Sequence, residues 1–319
     1  MRVRPDRDTF EREAEGFALA PVWTELLADV STPVGVFPAL AGDGSGLLLE
    51  SVERSERWGR YSFVAGDPAA IVVLDRDGLR VQDTTDRLSL ETPSSGDARA
   101  DLVALARSLR APRVDGLPSL TGGLMGFLSY EAAALLDGHP FPDGDPMGPP
   151  IALMLVDRAV VFDHWRQRML LVAHVRPDAY DEGADALRDL AGRLSSPSAP
   201  APDPLPGPAA YVDSLGQPNM PDDRYREIVR TIKEHIVAGD IYQGVPSRRV
   251  GFACSGGGFP VYRRLRVTNP APYMFFVRML GLELAGSSPE PLVRVAGRTV
   301  TSRPIAGTRR RGSRPAEDM

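Results

Sequence analysis

The chain is poor in the residues that would announce its chemistry. It has one cysteine, Cys254, so no disulfide can form within it, and a reducing, cytoplasmic setting is expected. It has four histidines: His139, His164, His174 and His235. None has a partner at metal-ligand spacing. Of its 37 basic residues only Lys233 is a lysine. The arginines therefore reflect a compositional bias more than a phosphate-binding surface, and a mechanism needing a lysine has one candidate. No apolar run reaches the roughly 18–20 residues that span a bilayer. Residues Met1–Phe10 are charged and lack the apolar core of a signal peptide. The net charge of -5 argues against nucleic-acid or membrane-surface partners.

What is present is a globular composition, 43% apolar and 25% charged over 319 residues. Short apolar runs read as strands: Leu47–Leu49, Ile71–Leu74, Leu124–Tyr130, Ile151–Phe162 and Met169–Val175. Helical stretches lie at Ala98–Leu109 and Ala179–Leu194. Strands and helices mix without strict βαβ alternation, which predicts an α+β fold. The stretch SSPSAPAPDPLPGP, 195–208, is too proline-rich to be an element. It sets three regions: an N-terminal domain at 1–194, a linker at 195–218 and a second domain at 219–319.

The second domain opens with an amphipathic helix. Tyr225, Ile228, Val229, Ile232 and Ile236 make one apolar stripe, and Gly239 sits where a C-terminal cap belongs. Strands are expected at Ile241–Val245, Tyr273–Arg278, Leu292–Val295 and Thr299–Arg303. Four short strands and one helix leave much apolar surface uncovered. The second domain is therefore expected to be incomplete, and the protein to be truncated at its C-terminal end.

Five groups of residues occur in a distinctive order. The first is Thr32-Pro33-Val34, Leu48–Glu53 and Arg57–Phe63; the second is Gly122–Phe127 with Val161–His164. The third is Ala238-Gly239-Asp240-Ile241-Tyr242-Gln243. The fourth is Asn269–Phe275. The fifth is Gly286–Glu290 with Arg303–Arg309. Together they resemble the large subunit (component I) of anthranilate synthase, in the chorismate-utilising enzymes. The resemblance covers nearly all 319 residues. It implies antiparallel sheets packed as a sandwich with helices outside.

The resemblance also implies an activity: conversion of chorismate and ammonia to anthranilate and pyruvate. Magnesium serves as cofactor, a glutamine amidotransferase subunit supplies ammonia, and tryptophan acts as feedback inhibitor. Water-using relatives carry a lysine base where Gln243 stands, and a glutamine amide has no basic lone pair to replace it. Aminodeoxychorismate-forming relatives typically carry a lysine nucleophile where Ala306 stands, and alanine forms no covalent adduct. Gln243 and Ala306 thus favour anthranilate synthase, with aminodeoxychorismate synthase component I as the alternative. An alternative of another class is a non-catalytic fragment that binds tryptophan or docks on the amidotransferase.

Carried over by resemblance, Gly307 and Thr308 contact chorismate, and Glu290 and Gln243 belong to the catalytic site. Ser51, Pro272, Tyr273 and Met274 bind tryptophan. No metal-ligand set is expected within these residues, because the family's acidic magnesium ligands correspond to positions beyond Met319. His164 is read as a turn residue, Trp58 as packing and Cys254 as a loop thiol without a role. Arg303 and Arg309–Arg311 are candidates for binding a dicarboxylate.

Overall fold

A computed structural model describes residues 1–51, 59–83, 85–88, 90–137, 148–195, 216–254, 256–307 and 310–314. The protein divides into two compact units: Met1–Pro204 with Gly258–Ser288, and Leu205–Gly257 with Pro289–Met319. The boundaries read from sequence, 1–194, 195–218 and 219–319, differ from these units. Residues 258–288 pack with the N-terminal part instead of with their sequence neighbours.

The first unit holds α1 (Arg7–Ala14), β1 (Ala20–Leu27), α2 (Pro33–Ala41), β2 (Gly46–Glu50), β3 (Tyr61–Gly66), β4 (Ala70–Asp75) and β5 (Gly78–Asp83). It continues with α3 (Ala98–Ser108), β6 (Gly123–Leu128), α4 (Ala132–Asp137), β7 (Ile151–Val156), β8 (Arg158–Asp163), β9 (Arg168–Val175) and α5 (Tyr180–Leu194). The second unit contributes β10 (Gln217–Pro218), α6 (Asp222–Ala238) and β11 (Val250–Gly251). The backbone then returns to the first unit with α7 (Gly258–Thr268), β12 (Tyr273–Met279) and β13 (Leu282–Ser288). It ends in the second with β14 (Arg294–Ala296) and β15 (Thr299–Thr301).

The first unit is a four-layer structure built on two antiparallel sheets. One sheet has seven strands, in the order β1-β9-β8-β3-β2-β12-β13; the other has four, in the order β5-β4-β7-β6. Period-two alternation sends the side groups of each strand to two faces. Leu48, Val64, Val160, Met274 and Phe276 pack outward on α1, α2, α5 and α7. Leu47, Ala65, Ala159, Val277 and Met279 pack inward on Met125, Ala152, Met154 and Val156 of the smaller sheet. The far face of that sheet, with Val72, Leu74, Ile151 and Leu153, is covered by Leu105 and Ala132 of α3 and α4. This is the antiparallel sandwich with outer helices.

Local signals start and stop these helices. The Thr32 hydroxyl accepts from the Gly35 N–H at 3.1 Å, and Pro33 occupies the first turn of α2, where a missing N–H costs nothing. In α5, Gly183 lies against β1 and β9, and a Cβ there would come within 2.5 Å of Val22 Cγ2.

Two readings from the sequence are corrected. The apolar run Ile151–Phe162 is not one strand. It crosses from the smaller sheet to the larger one at Asp157, which is buried and held by Arg87 at 3.0 and 3.1 Å. Ile241–Val245 is not a strand: residues 241–249 are irregular, and Tyr242 is 95% exposed. An extended segment needs a neighbour for its backbone N–H and C=O groups, and Gly244 and Pro246 weaken it further. Several elements had no counterpart among the expected ones, among them α1, β1, α2, β3, β5, α4, α7 and β13.

Candidate functional site

The β2–β12 pairing brings together residues more than 200 positions apart. Antiparallel partners run from Arg278 opposite Gly46 to Met274 opposite Glu50. Ser51 follows Glu50, and Pro272 and Tyr273 precede Met274, so these residues flank the last pair of that ladder. All four residues expected to bind tryptophan therefore meet at one end of the large sheet. Met274 is buried, while Ser51, Pro272 and Tyr273 are partly exposed. The Ser51 hydroxyl is buried and has no hydrogen-bond partner among the described residues.

Alternation gives this strand end two chemistries. Glu50, with Met274, faces the helical layer. Its carboxylate is buried and accepts from the Tyr262 hydroxyl at 2.7 Å and from Arg266 Nη2 at 2.9 Å, with Arg266 Nε 2.7 Å away. A buried carboxylate is tolerated only when paired and hydrogen-bonded in this way. Burial, followed by the Glu50 charge, pushes the Tyr262 phenol well above its ordinary value, so it stays protonated and donates. Tyr262 and Arg266, four residues apart, point the same way from α7. The sequence reading assigned no role to these three residues. Two signals could have found them: a glutamate closing the apolar strand Gly46–Glu50, and a Tyr–Arg pair at helical spacing.

A second polar cluster lies at the same end of the sheet. Asp163 is fully buried and takes a bidentate pair of bonds from Arg60, both 2.9 Å, with Arg168 Nε at 3.4 Å. Arg168 also bonds Glu25. The Ser62 hydroxyl lies 2.7 Å from His164 Nε2. Partial burial lowers the His164 pKa against the opposing pull of Glu50 and Asp163. His164 is thus a hydrogen-bonded turn residue.

The second unit holds the other expected site residues. The Glu290 carboxylate accepts from the Ile305 N–H at 2.8 Å and so ties down the segment leading to Gly307. Gly307 has φ +149°, a conformation in which a Cβ would be strained. Gln243 is exposed and makes no hydrogen bond to Glu290 or Gly307. Trp58, His139, Thr308 and Arg309 lie outside the described residues. Among the described residues no three carboxylate, imidazole or thiol groups converge as a metal site. No helix there is long and apolar enough to cross a membrane.

Comparisons with known proteins bear on this arrangement. The model of the chorismate binding enzyme family matches residues 70–319. Anthranilate synthase component 1 of Pseudomonas putida is 36% identical over 321 residues, covering 98% of this chain and 64% of that protein. The protein of the same name from Streptomyces coelicolor is 37% identical over 330 residues, covering 98% of this chain and 60% of its own length. The sequence thus spans less than two thirds of these curated relatives. Among solved structures, anthranilate synthase component I from Streptococcus pneumoniae superposes with a TM-score of 0.58. It is 22% identical, over 87% of this chain and 60% of that one, and supports the fold alone.

Proposed function

Because the protein belongs to the chorismate binding enzyme family, we propose that it is the corresponding part of an anthranilate synthase component 1, which converts chorismate and ammonia to anthranilate and pyruvate. The observation that carries this reading is identity of 36% across 98% of the sequence to a protein of that name. The pairing of Gln243 with Ala306 supports it. Neither supplies the base that water would need or the nucleophile that a covalent route would need, whereas ammonia attacks unaided.

In this reading Gly307 and Thr308 contact the substrate carboxylate. A glycine lets the backbone approach closely, and the threonine hydroxyl donates. Glu290 orients that segment through Ile305. Magnesium is the expected cofactor. The described residues provide no ligand set for it. Ammonia comes from a partner glutamine amidotransferase, and the setting is cytoplasmic, in keeping with the single thiol.

Tryptophan would bind at the end of the β2–β12 pair. The free Ser51 hydroxyl and the backbone near Pro272 suit its ammonium and carboxylate, and Tyr273 and Met274 suit its indole. Ser51 directly follows β2 and Tyr273 begins β12, the two strands that join residues 258–288 to the N-terminal part, so a ligand there would stiffen that seam.

The test is ammonia-dependent anthranilate fluorescence with chorismate and magnesium. The 319-residue protein and a version extended to the length of its relatives are assayed side by side. Anthranilate from the longer version, inhibited by tryptophan and less so after Ser51→Ala, is the expected result. Aminodeoxychorismate or isochorismate as product would overturn the assignment.

A further inference from the structure

The large sheet ends in β1 on one side and in β13 on the other, and the two edges are protected differently. At β1 the outward positions are closed. Trp23 exchanges both backbone bonds with Arg4, at 2.8 and 2.7 Å, and Pro21, two residues before it, has no N–H to offer. Proline, lysine and a covering segment are the usual means of blunting a sheet edge. The 7 residues of β13, LELAGSS, include no proline and no basic residue, and no described strand lies beyond them.

The register of the hairpin shows which backbone groups stand open. A two-residue turn at Leu280 and Gly281, both with positive φ, closes it on the pair Met279–Leu282. Antiparallel bonding alternates from that closing pair. Leu282, Leu284, Gly286 and Ser288 therefore bond β12, while Glu283, Ala285 and Ser287 turn their N–H and C=O groups away from it. Among the described residues no backbone group bonds these outward positions. Their side chains lie on the helical face and are already engaged. The Glu283 carboxylate accepts from Arg278 Nε at 2.6 Å and from the Gly258 N–H, the Ser287 hydroxyl donates to the Asn269 carbonyl at 2.6 Å, and Ala285 packs on the helical layer. On the inner face, the Phe275 ring takes the place of a side chain at Gly286, where a Cβ would collide with it.

We propose that β13 pairs edge to edge with β13 of a second copy of this chain, antiparallel about a two-fold axis at Ala285, so that the two large sheets become one. Such a contact is isologous, the commonest kind in homodimers. The residues select the register. Centred on Ala285, Glu283 of one copy meets Ser287 of the other, and each outward N–H finds a C=O. Centred on Glu283, two carboxylates would oppose one another. Centred on Ser287, Ala285 would face Pro289, which has no N–H. On the inner face the chosen register sets Leu284 of one copy beside Gly286 of the other, where it covers the Phe275 ring. The one charged side chain of the strand is neutralised by Arg278, so the edge is fitted to itself and not to a charged peptide.

The test is sedimentation velocity of the 319-residue protein beside hydrogen exchange with single-residue readout, both at about 1 and about 100 μM. The mass should move from 34.5 kDa toward twice that value. The amides of Glu283, Ala285 and Ser287 should slow about tenfold at the higher concentration, with those of Leu282, Leu284 and Gly286 unchanged. Ala285→Pro removes an N–H that the single copy does not use, so its circular dichroism should match wild type while association weakens at least about tenfold. A monomer at both concentrations would overturn the proposal. So would a dimer whose Glu283, Ala285 and Ser287 amides stay fast, which places the contact elsewhere, or slow exchange of these amides already in the dilute monomer, which means the chain covers its own edge. Equal association by a folded Ala285→Pro would overturn it as well.

Discussion

The two units differ most in what their amphipathic elements cover. In the first, every layer is sealed: Phe37, Phe162, Phe276 and Tyr262 are almost wholly buried between sheet and helices. In the second, α6 is as regular a helix as any in the molecule, yet none of its residues is buried. The strands β10, β11, β14 and β15 are exposed throughout. Val237, Tyr242 and Leu292 are 89%, 95% and 87% exposed. The α6 stripe is therefore encoded independently of any surface that covers it. Its ends are locally satisfied: Asp222 and Asp223 lie in the first turn, and Gly239, at φ +83°, closes it with N–H bonds to His235 and Ile236. Pairs such as Arg226–Asp223 add local support. Secondary structure is a local property here, and stability is a tertiary one, because apolar area contributes only when removed from water.

Four measurements would break or sharpen that contrast. The largest effect is expected for Phe276→Ala, whose ring meets Phe37 and Phe259 at 5.3 Å each. Urea unfolding of the first unit should lose about 3–5 kcal/mol, the usual cost of a large core truncation. A loss below about 1 kcal/mol, the range of a surface substitution, would mean the two units are equally loose.

Next is the pH dependence of the first unit. His174 takes its proton at about pH 4 when folded and near its ordinary 6.5 when unfolded. Below pH 6.5 the unfolded state binds a proton that the folded one refuses. Stability is therefore fully present above 6.5 and falls as pH drops toward 4, by on the order of 3 kcal/mol. Unfolding monitored from about pH 7 to 4 should show this limb in wild type and a flatter one in His174→Gln. Identical limbs would remove His174 as their cause.

Tyr262→Phe deletes one of the bonds to the buried Glu50 carboxylate and should cost about 1–3 kcal/mol, since the acceptor is charged. Thermal melting would register it; an unchanged transition would show that Arg266 alone suffices. The smallest effect belongs to the second unit. Gly239→Ala forces a Cβ into the left-handed cap and should cost about 1 kcal/mol of α6. It should be seen as earlier amide exchange in α6 with the first unit unaffected. If both units shift together, they unfold as one.

Much of the fold was legible because its signals are local. Leu47–Leu49, Ile71–Leu74 and Met169–Val175 lie in β2, β4 and β9, the run Leu124–Tyr130 lies in β6 as far as Leu128, and the helices at Ala98–Leu109 and Ala179–Leu194 correspond to α3 and α5. Apolar alternation and capping residues announce such elements without reference to the rest of the molecule. The break at Asp157 was invisible, because an aspartate inside an apolar run acquires meaning only when Arg87, 70 residues away, comes to pair with it. Helix α7 was missed because its stripe, Phe259 and Tyr262, is interrupted by arginines that read as surface. The meeting of Ser51 with Tyr273 was implied by resemblance alone, and Glu50 with Tyr262 and Arg266 was not implied at all.

By itself, then, the sequence determined the strands' period, the caps and stripe of α6, the antiparallel sandwich through its family resemblance, and the residue types at Gln243 and Ala306. Each depends on neighbours a few positions apart, or on the ordered pattern of motifs. The tertiary structure alone decided which strands share a sheet, where the run 151–162 changes sheets, which groups neutralise Glu50, Asp157 and Asp163, and where an imidazole is left without a partner. Those outcomes depend on desolvation and pairing between residues brought together from opposite parts of the protein, and no local pattern specifies that meeting.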